Sequence, residues 1–295
     1  MKLTARVPAT SANLGPGFDC FGLALELCNE VTIDTEAEPG VSWEGEGADE
    51  LPTDGSDMVS RAVRSAEAKI AEAHGPARSV LPPFHLHGAN RIPLARGLGS
   101  SAAAAVAGIA LAYRLLDLDD PGSFAGNAFS LASEIEGHPD NAAAAAFGGF
   151  TIVAGDDVER LEPHPDLRPV LLIPEHLRVS TDEARGVLPE TVSRADAVFN
   201  VGHAALTMAR ILQDPDRLRL AMADRLHQDA RLALVPEARA VFDRLHAANV
   251  PVCVSGSGPT LLAFERDRWP VPEPGDGWRV LRVPVRRSGV EILEA

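Results

Sequence analysis

The sequence predicts an α+β protein in two parts. Helical and strand-like segments are mixed without strict β–α–β alternation, which points to antiparallel sheets. A charged, proline-rich stretch from Gly155 to Pro169 interrupts the apolar pattern near mid-chain. The chain of 295 residues suffices for about two domains of ordinary size. One domain is therefore expected over residues 1–155 and a second over residues 156–295.

The elements follow from local pattern. Leu3 to Val7 alternates and reads as a short strand, followed by a loop from Pro8 to Gly17 rich in Pro, Ser, Asn and Gly. Phe21 to Leu27 and Val31 to Thr35 read as strands, with Val41 to Trp43 as a third. Ser56 is placed to cap a helix reaching about His74, because Met58, Val59, Ala62, Val63, Ala66 and Ile70 recur at helical spacing. Phe84 to His87 is a short strand. Helices are expected at Ser101 to Leu116, Ser123 to Glu136 and Asp140 to Phe147, then a strand at Phe150 to Ala154. In the second half, strands are expected at Val170 to Ile173, Val252 to Val254, Thr260 to Phe264 and Arg279 to Val285. A helical turn begins at Thr181 to Gly186. Longer helices are expected at Thr191 to Leu212, Pro215 to Leu226 and Pro236 to Ala248.

A net charge of −15 argues against nucleic-acid binding through a diffuse basic surface. Such a chain can hold phosphates only by concentrating amide groups, helix ends or a cation locally. Cys20, Cys28 and Cys253 form no Cys-x-x-Cys pair, and their odd number argues for a reducing compartment and against a disulfide framework or zinc site. The start, Met1-Lys2-Leu3-Thr4-Ala5-Arg6, lacks the apolar core of a signal peptide. The longest apolar run, Ala102 to Tyr113, is too short to span a bilayer. The expected location is the cytoplasm, without a membrane partner.

Function turns on the segment Pro93-Leu94-Ala95-Arg96-Gly97-Leu98-Gly99-Ser100-Ser101-Ala102. Gly97 and Gly99 let the backbone turn tightly and let a ligand approach the main chain. Ser100 or Ser101 can cap the alanine-rich helix that follows, whose first amides lack partners and whose dipole is positive there. Loop and helix together would make a phosphate cradle. The segment also fits the dinucleotide pattern G-x-G-x-x-A, but Arg91 to Arg96 separate it from the strand. The nearest downstream acids, Asp117 and Asp119, fall at a helix end. It lacks the lysine of a Walker loop. For Gly-x-Gly alone, a capped tight turn is an equal reading.

Four further clusters carry polar chemistry. Val7 to Asp19 is a loop fixed by two prolines and two glycines, offering Asn13 and Asp19; turn-making accounts for either residue taken singly. Glu134-Ile135-Glu136-Gly137-His138-Pro139-Asp140-Asn141 crowds acids, an imidazole and an amide at a helix–turn–helix junction. A carboxylate there could hold Mg2+; helix capping is the plainer alternative. Val254-Ser255-Gly256-Ser257-Gly258-Pro259-Thr260 is a second glycine–serine turn. Ser180-Thr181-Asp182-Glu183-Ala184-Arg185 and His227-Gln228-Asp229-Ala230-Arg231 supply two arginines that could clamp a carboxylate if they converge.

Taken in order, Pro8 to Asp19, Pro93 to Ala102, Glu136 to Asn141, Ser180-Thr181 with Arg185, and Ser255 to Thr260 resemble the homoserine kinases of the GHMP small-molecule kinase superfamily. The resemblance implies an N-terminal domain like domain 2 of ribosomal protein S5 and a ferredoxin-like C-terminal domain. It implies ATP on the Pro93–Ala102 loop and Mg2+ held by Ser101 and, by position, Glu134, with Glu136 as the alternative. It implies homoserine held by Asn13, Asp19, His138, Thr181, Arg185 and Arg231, with Asp140, Asn141 and Arg185 nearest the chemistry. Gln228-Asp229-Ala230-Arg231 departs from the more usual Glu-Pro-Tyr-Arg. The implied reaction gives O-phospho-L-homoserine and ADP, a step of threonine biosynthesis, with transfer direct from ATP and a homodimer as the usual assembly.

Overall fold

The computed structural model describes residues 1–294 except 77–78 and 119–123; Ser123 and Asp119 thus lie outside the described residues. Among the described residues the strands form two sheets. In the first, β1 (Lys2–Ala12) runs between β2 (Phe21–Asp34) and β11 (Glu291–Glu294). The order is β11-β1-β2-β4-β3, with β3 (Gly40–Gly45) and β4 (His85–Asn90). β5 (Phe150–Ala154) pairs with the early part of β2 and with β6 (Asp157–Leu161). The pairings are antiparallel except β3 with β4, which are parallel.

Pro8 does not end β1 as the sequence suggested. The register slips between Pro8 and Ala9, so that Pro8 faces Cys28 and Ala9 faces Leu25. A bulge tolerates a residue with no N–H to donate. β1 therefore continues to Ala12, directly before Asn13. The two strands expected between Phe21 and Thr35 are one continuous strand bent at the same bulge.

Four helices pack beside this sheet, α1 (Met58–His74), α2 (Ser100–Leu115), α3 (Phe124–Glu136) and α4 (Pro139–Phe147); α2 and α4 touch its strands, and α1 and α3 pack on those two helices. Alanine makes α2 thin enough to be enclosed; a Cβ on Gly108 would lie 2.5 Å from the Val59 carbonyl oxygen of α1. Asp57, not Ser56, caps α1 by accepting from the Ser60 amide at 2.8 Å. Ser56 is committed to the preceding turn, donating to Asp54 at 2.6 Å.

The second sheet has the order β10-β7-β9-β8, formed by β7 (Pro169–Pro174), β8 (Val252–Val254), β9 (Leu261–Phe264) and β10 (Trp278–Arg282), all antiparallel. Leu172, Val254, Leu261 and Ala263 pack with Val241 and Leu245 of α9 (Pro236–Ala247) in a separate apolar core. α5 (Thr181–Gly186) and α6 (Arg194–Gln213) precede it, each capped by a serine, Ser180 and Ser193. The helix expected over Pro215 to Leu226 shrinks to a 3-10 turn and α7 (Leu218–Ala221), and α8 (Gln228–Leu234) was not anticipated.

The expected boundary at residue 155 falls inside the β5–β6 hairpin, where Ala154 pairs with Asp157. The last strand returns to pair with β1, so the first sheet contains both ends of the chain. Among the described residues no helix is long and apolar enough to cross a membrane.

Candidate active site

The phosphate-loop segment is held by backbone contacts from three directions. Thr10 N–H donates to the Leu98 carbonyl, Val179 N–H to the Ala95 carbonyl, and Ser255 Oγ to the Gly97 carbonyl at 2.7 Å. Gly97 and Gly99 have φ of 69° and 66°, which a side chain resists. A Cβ on Gly97 would lie 2.1 Å from the Ser255 carbonyl oxygen; one on Gly99 would lie 1.9 Å from Thr10 Oγ1. Gly99 is itself the N-cap of α2, so Ser100 and Ser101 are its first helical residues and not caps. Both residues line the cleft at the positive end of the helix dipole, where the first amides have no partners inside the helix.

The cleft encloses about 280 Å³ and is lined by this loop on one side. Leu94 is the exception: its side chain packs against Gly47. Arg96 lines the cleft, but its guanidinium is spent on the Pro174, Glu175 and Leu94 carbonyls.

Ser101 Oγ donates to Glu136 Oε1 at 2.6 Å, and both residues line the cleft. Burial pushes the Glu136 carboxyl up, while the Ser101 hydroxyl, His138 and Arg61 draw it down. Glu134, the position first assigned to the metal, points elsewhere. Two residues earlier on α3 its side chain turns to solvent, where its carboxylate lies 3.5 Å from Lys69 Nζ. Helical geometry separates the two acids by about 200°, so only one can face Ser101. A hydroxyl and a carboxylate oxygen suit a hard divalent cation. Among the described residues no group of three His, Cys, Asp or Glu could hold a metal, so a cation between Ser101 and Glu136 would take the rest of its oxygen ligands from elsewhere.

The opposite wall is polar and charged. Asp19, at φ 55°, hangs from the Asn13 side chain, whose Oδ1 accepts the Asp19 amide at 3.0 Å. Its carboxylate meets Arg185 from α5 in a two-point pair, Oδ1–Nη2 2.7 Å and Oδ2–Nη1 3.2 Å. Asp140, the second residue of α4, is 3% exposed. Burial lifts its carboxyl to about 6; the Asn141 amide opposes this and the Asp19 charge adds to it. Asn141 is fixed at both ends, accepting from Thr10 Oγ1 at 2.7 Å and donating to Asp140 at 3.2 Å. Arg231 from α8 is 5% exposed, and burial draws its guanidinium down to about 10. It donates to the Gly256 carbonyl at 2.7 Å, as Asn13 Nδ2 does at 3.0 Å. His138 and Thr181 also line the cleft.

The remaining positions singled out in the sequence thus converge on this cleft. Sequence reasoning missed Thr10, Phe18 and His227, which support the lining residues from behind. All three sit inside the quoted motifs, and only their spatial partners mark them.

A substrate cleft between two α+β layers, with a glycine-rich loop on a helix N-terminus, places the chain among the small-molecule kinases. The GHMP kinases N terminal domain family matches residues 57–149. Homoserine kinase of Rhodococcus erythropolis is 41% identical, over 99% of this chain and 96% of its own length. That of Streptomyces avermitilis is also 41% identical, over 98% and 94%. The crystal structure of homoserine kinase from Cytophaga hutchinsonii superposes with a TM-score of 0.82 at 26% identity, covering 99% of this chain and 97% of that one. The chain belongs to the homoserine kinase family of GHMP kinases.

Proposed function

We propose that the protein transfers the γ-phosphoryl group of ATP to the side-chain hydroxyl of L-homoserine. The observation that carries this reading is that a phosphate cradle and a preformed Asp19–Arg185 ion pair open into one cleft. An amino acid is a zwitterion. Its ammonium complements Asp19 and its carboxylate complements Arg185, with Arg231 as a second cation, so that the side chain is left to reach the loop.

The loop amides and the N-terminus of α2 would hold the phosphates, and Ser101 with Glu136 would hold Mg2+. That ion would supply charge neutralisation on the transferred group. Asn141, braced by Thr10 and Asp140, would orient the acceptor hydroxyl, beside His138. The acceptor O–P bond forms as the bond from the γ-phosphorus to the bridging oxygen breaks. ADP leaves, and the hydroxyl proton passes to the phosphoryl oxygens, so no side-chain base is invoked. Phosphoryl transfer of this kind depends mainly on alignment and electrostatics. The reading places the enzyme in threonine biosynthesis, as a cytoplasmic homodimer.

The test is release of ADP from MgATP. L-homoserine should support turnover, whereas mevalonate, galactose and shikimate should not. Failure with homoserine would overturn the proposal, and success with another of the four would move the chain to a sister specificity.

A further inference from the structure

Behind the cleft wall, the side chain of His227 is completely enclosed. The residue immediately precedes α8, one turn ahead of Arg231. Nε2 lies 2.8 Å from the Gly15 carbonyl oxygen, and Nδ1 lies 3.2 Å from Arg231 Nη1. A carbonyl only accepts and a guanidinium only donates. These partners fix the tautomer, with the proton on Nε2 and a lone pair on Nδ1.

The ring stacks on Phe18 at 5.2 Å with 25° between planes. The same Phe18 ring lies 5.3 Å from the guanidinium carbon of Arg231 and 5.9 Å from that of Arg185. Arg231 Nη1 is therefore shared between two acceptors, the Gly256 carbonyl and the His227 lone pair. Asp224 anchors the histidine's backbone: Oδ2 accepts from the amides of His227 at 2.9 Å and Gln228 at 2.8 Å, and Oδ1 from Asn200 at 2.8 Å. The charged groups acting on the ring are Asp224, with Oδ2 3.9 Å from Nε2, Arg231 and Asp19. Burial drives the imidazole down to about 4, against the upward pull of Asp224, so it stays neutral.

We propose that His227 is a positioning residue for the phosphoryl acceptor. Its Nδ1 lone pair aims Arg231 at the cleft, and its Nε2–H fastens the loop that carries Asn13 and Asp19. This assignment rests on the homoserine reading of the cleft and predicts selectivity: the ring's hydrogen-bonding and stacking partners are Gly15, Arg231 and Phe18, on the acceptor side of the cleft.

Two substitutions separate the two ring nitrogens. His227→Asn keeps an acceptor near the Nδ1 position, whereas His227→Gln keeps a donor near the Nε2 position and loses the lone pair facing Arg231. His227→Gln should raise the homoserine KM about tenfold while the ATP KM stays within about twofold, and His227→Asn should recover most of the loss. Equal effects of the two variants, or parallel rises in both KM values, would mean a merely structural histidine and overturn the proposal. Nitrogen NMR of the unsubstituted enzyme gives a readout independent of the acceptor and of variant folding. The imidazole should remain the Nε2–H tautomer from about pH 5 to 8; titration within that window would also overturn it. Wild-type enzyme inert toward homoserine but showing the fixed tautomer would count against the acceptor assignment and leave the Arg231 geometry supported.

Discussion

Asp19 and Arg185 form a two-point ion pair, with Nη2–Oδ1 at 2.7 Å, although 166 residues separate them in the chain. One comes from a left-handed turn behind β1, the other from a six-residue helix capped by Ser180. Within the cleft each group satisfies the other. A zwitterion entering beside them can exchange partners without leaving either charge unpaired.

Arg185→Ala should therefore weaken homoserine far more than ATP. Losing a charge-assisted contact costs about 2 kcal/mol, or roughly 30-fold in KM for homoserine. Steady-state kinetics with each substrate varied in turn checks this. Arg185→Lys should recover little, because an ammonium cannot reproduce the two-point geometry. Equal effects on both KM values would remove Arg185 from the acceptor site.

Gly97 and Gly99 should tolerate no side chain. Gly97→Ala combines a left-handed φ, costing about 1–2 kcal/mol, with a backbone collision at Ser255. It should lower the melting temperature and abolish ATP binding by calorimetry. Gly202 offers the control: it lies within α6 with nothing within 4 Å of an added Cβ. Gly202→Ala should stabilise the fold by about 0.5–1 kcal/mol and leave kinetics unchanged.

Most of this site was legible in the sequence because its residues cluster in short motifs whose chemistry is local. Gly97 and Ser101 stand out in a glycine–serine loop at a helix start, whereas Asp19 and Asp140 take their roles only from the family resemblance. Arg185 and Arg231 could be named, but their convergence depends on α5 and α8 both reaching the Phe18 ring, which no local pattern encodes. The strand through Pro8 was missed because a proline reads as a break unless the partner strand supplies a bulge. β11 was missed because Glu291–Glu294 is only four residues long; only pairing with β1 makes it a strand. The choice between Glu134 and Glu136 was open because both sit in the last turn of one helix, and rotation about its axis decides between them.

Asp140 should set a pH dependence of stability. Its carboxyl is raised from 3.8 to about 6, chiefly by burial. Below pH 3.8 it is protonated in both the folded and unfolded chain and contributes nothing. Between 3.8 and about 6 the unfolded chain ionises first, so stability falls as pH rises. Above that window the loss is complete, on the order of 3 kcal/mol. Asp140→Asn keeps an oxygen for the Asn141 amide and removes the charge. By calorimetry it should melt above the parent at about pH 8 and no higher at about pH 4. The same gain at both pH values would show that the buried charge is not the cause.

Glu136 and Glu134 give the sharpest contrast, because they differ in direction and not in chemistry. Glu136 accepts from Ser101 at 2.6 Å inside the cleft, whereas the Glu134 side chain is 56% exposed and 3.5 Å from Lys69. If Ser101 and Glu136 hold the metal, Glu136→Gln removes one anionic oxygen while keeping the shape. Its kcat should fall about 100-fold, and more Mg2+ should be needed for half-maximal rate at fixed ATP. Glu134→Gln exchanges only a solvent-screened pair and should stay within about twofold in both quantities. Chelation by EDTA should abolish turnover in the parent and in both variants, and added Mg2+ should restore it. A large loss in Glu134→Gln with a normal Glu136→Gln would return the metal to the position the family resemblance implies.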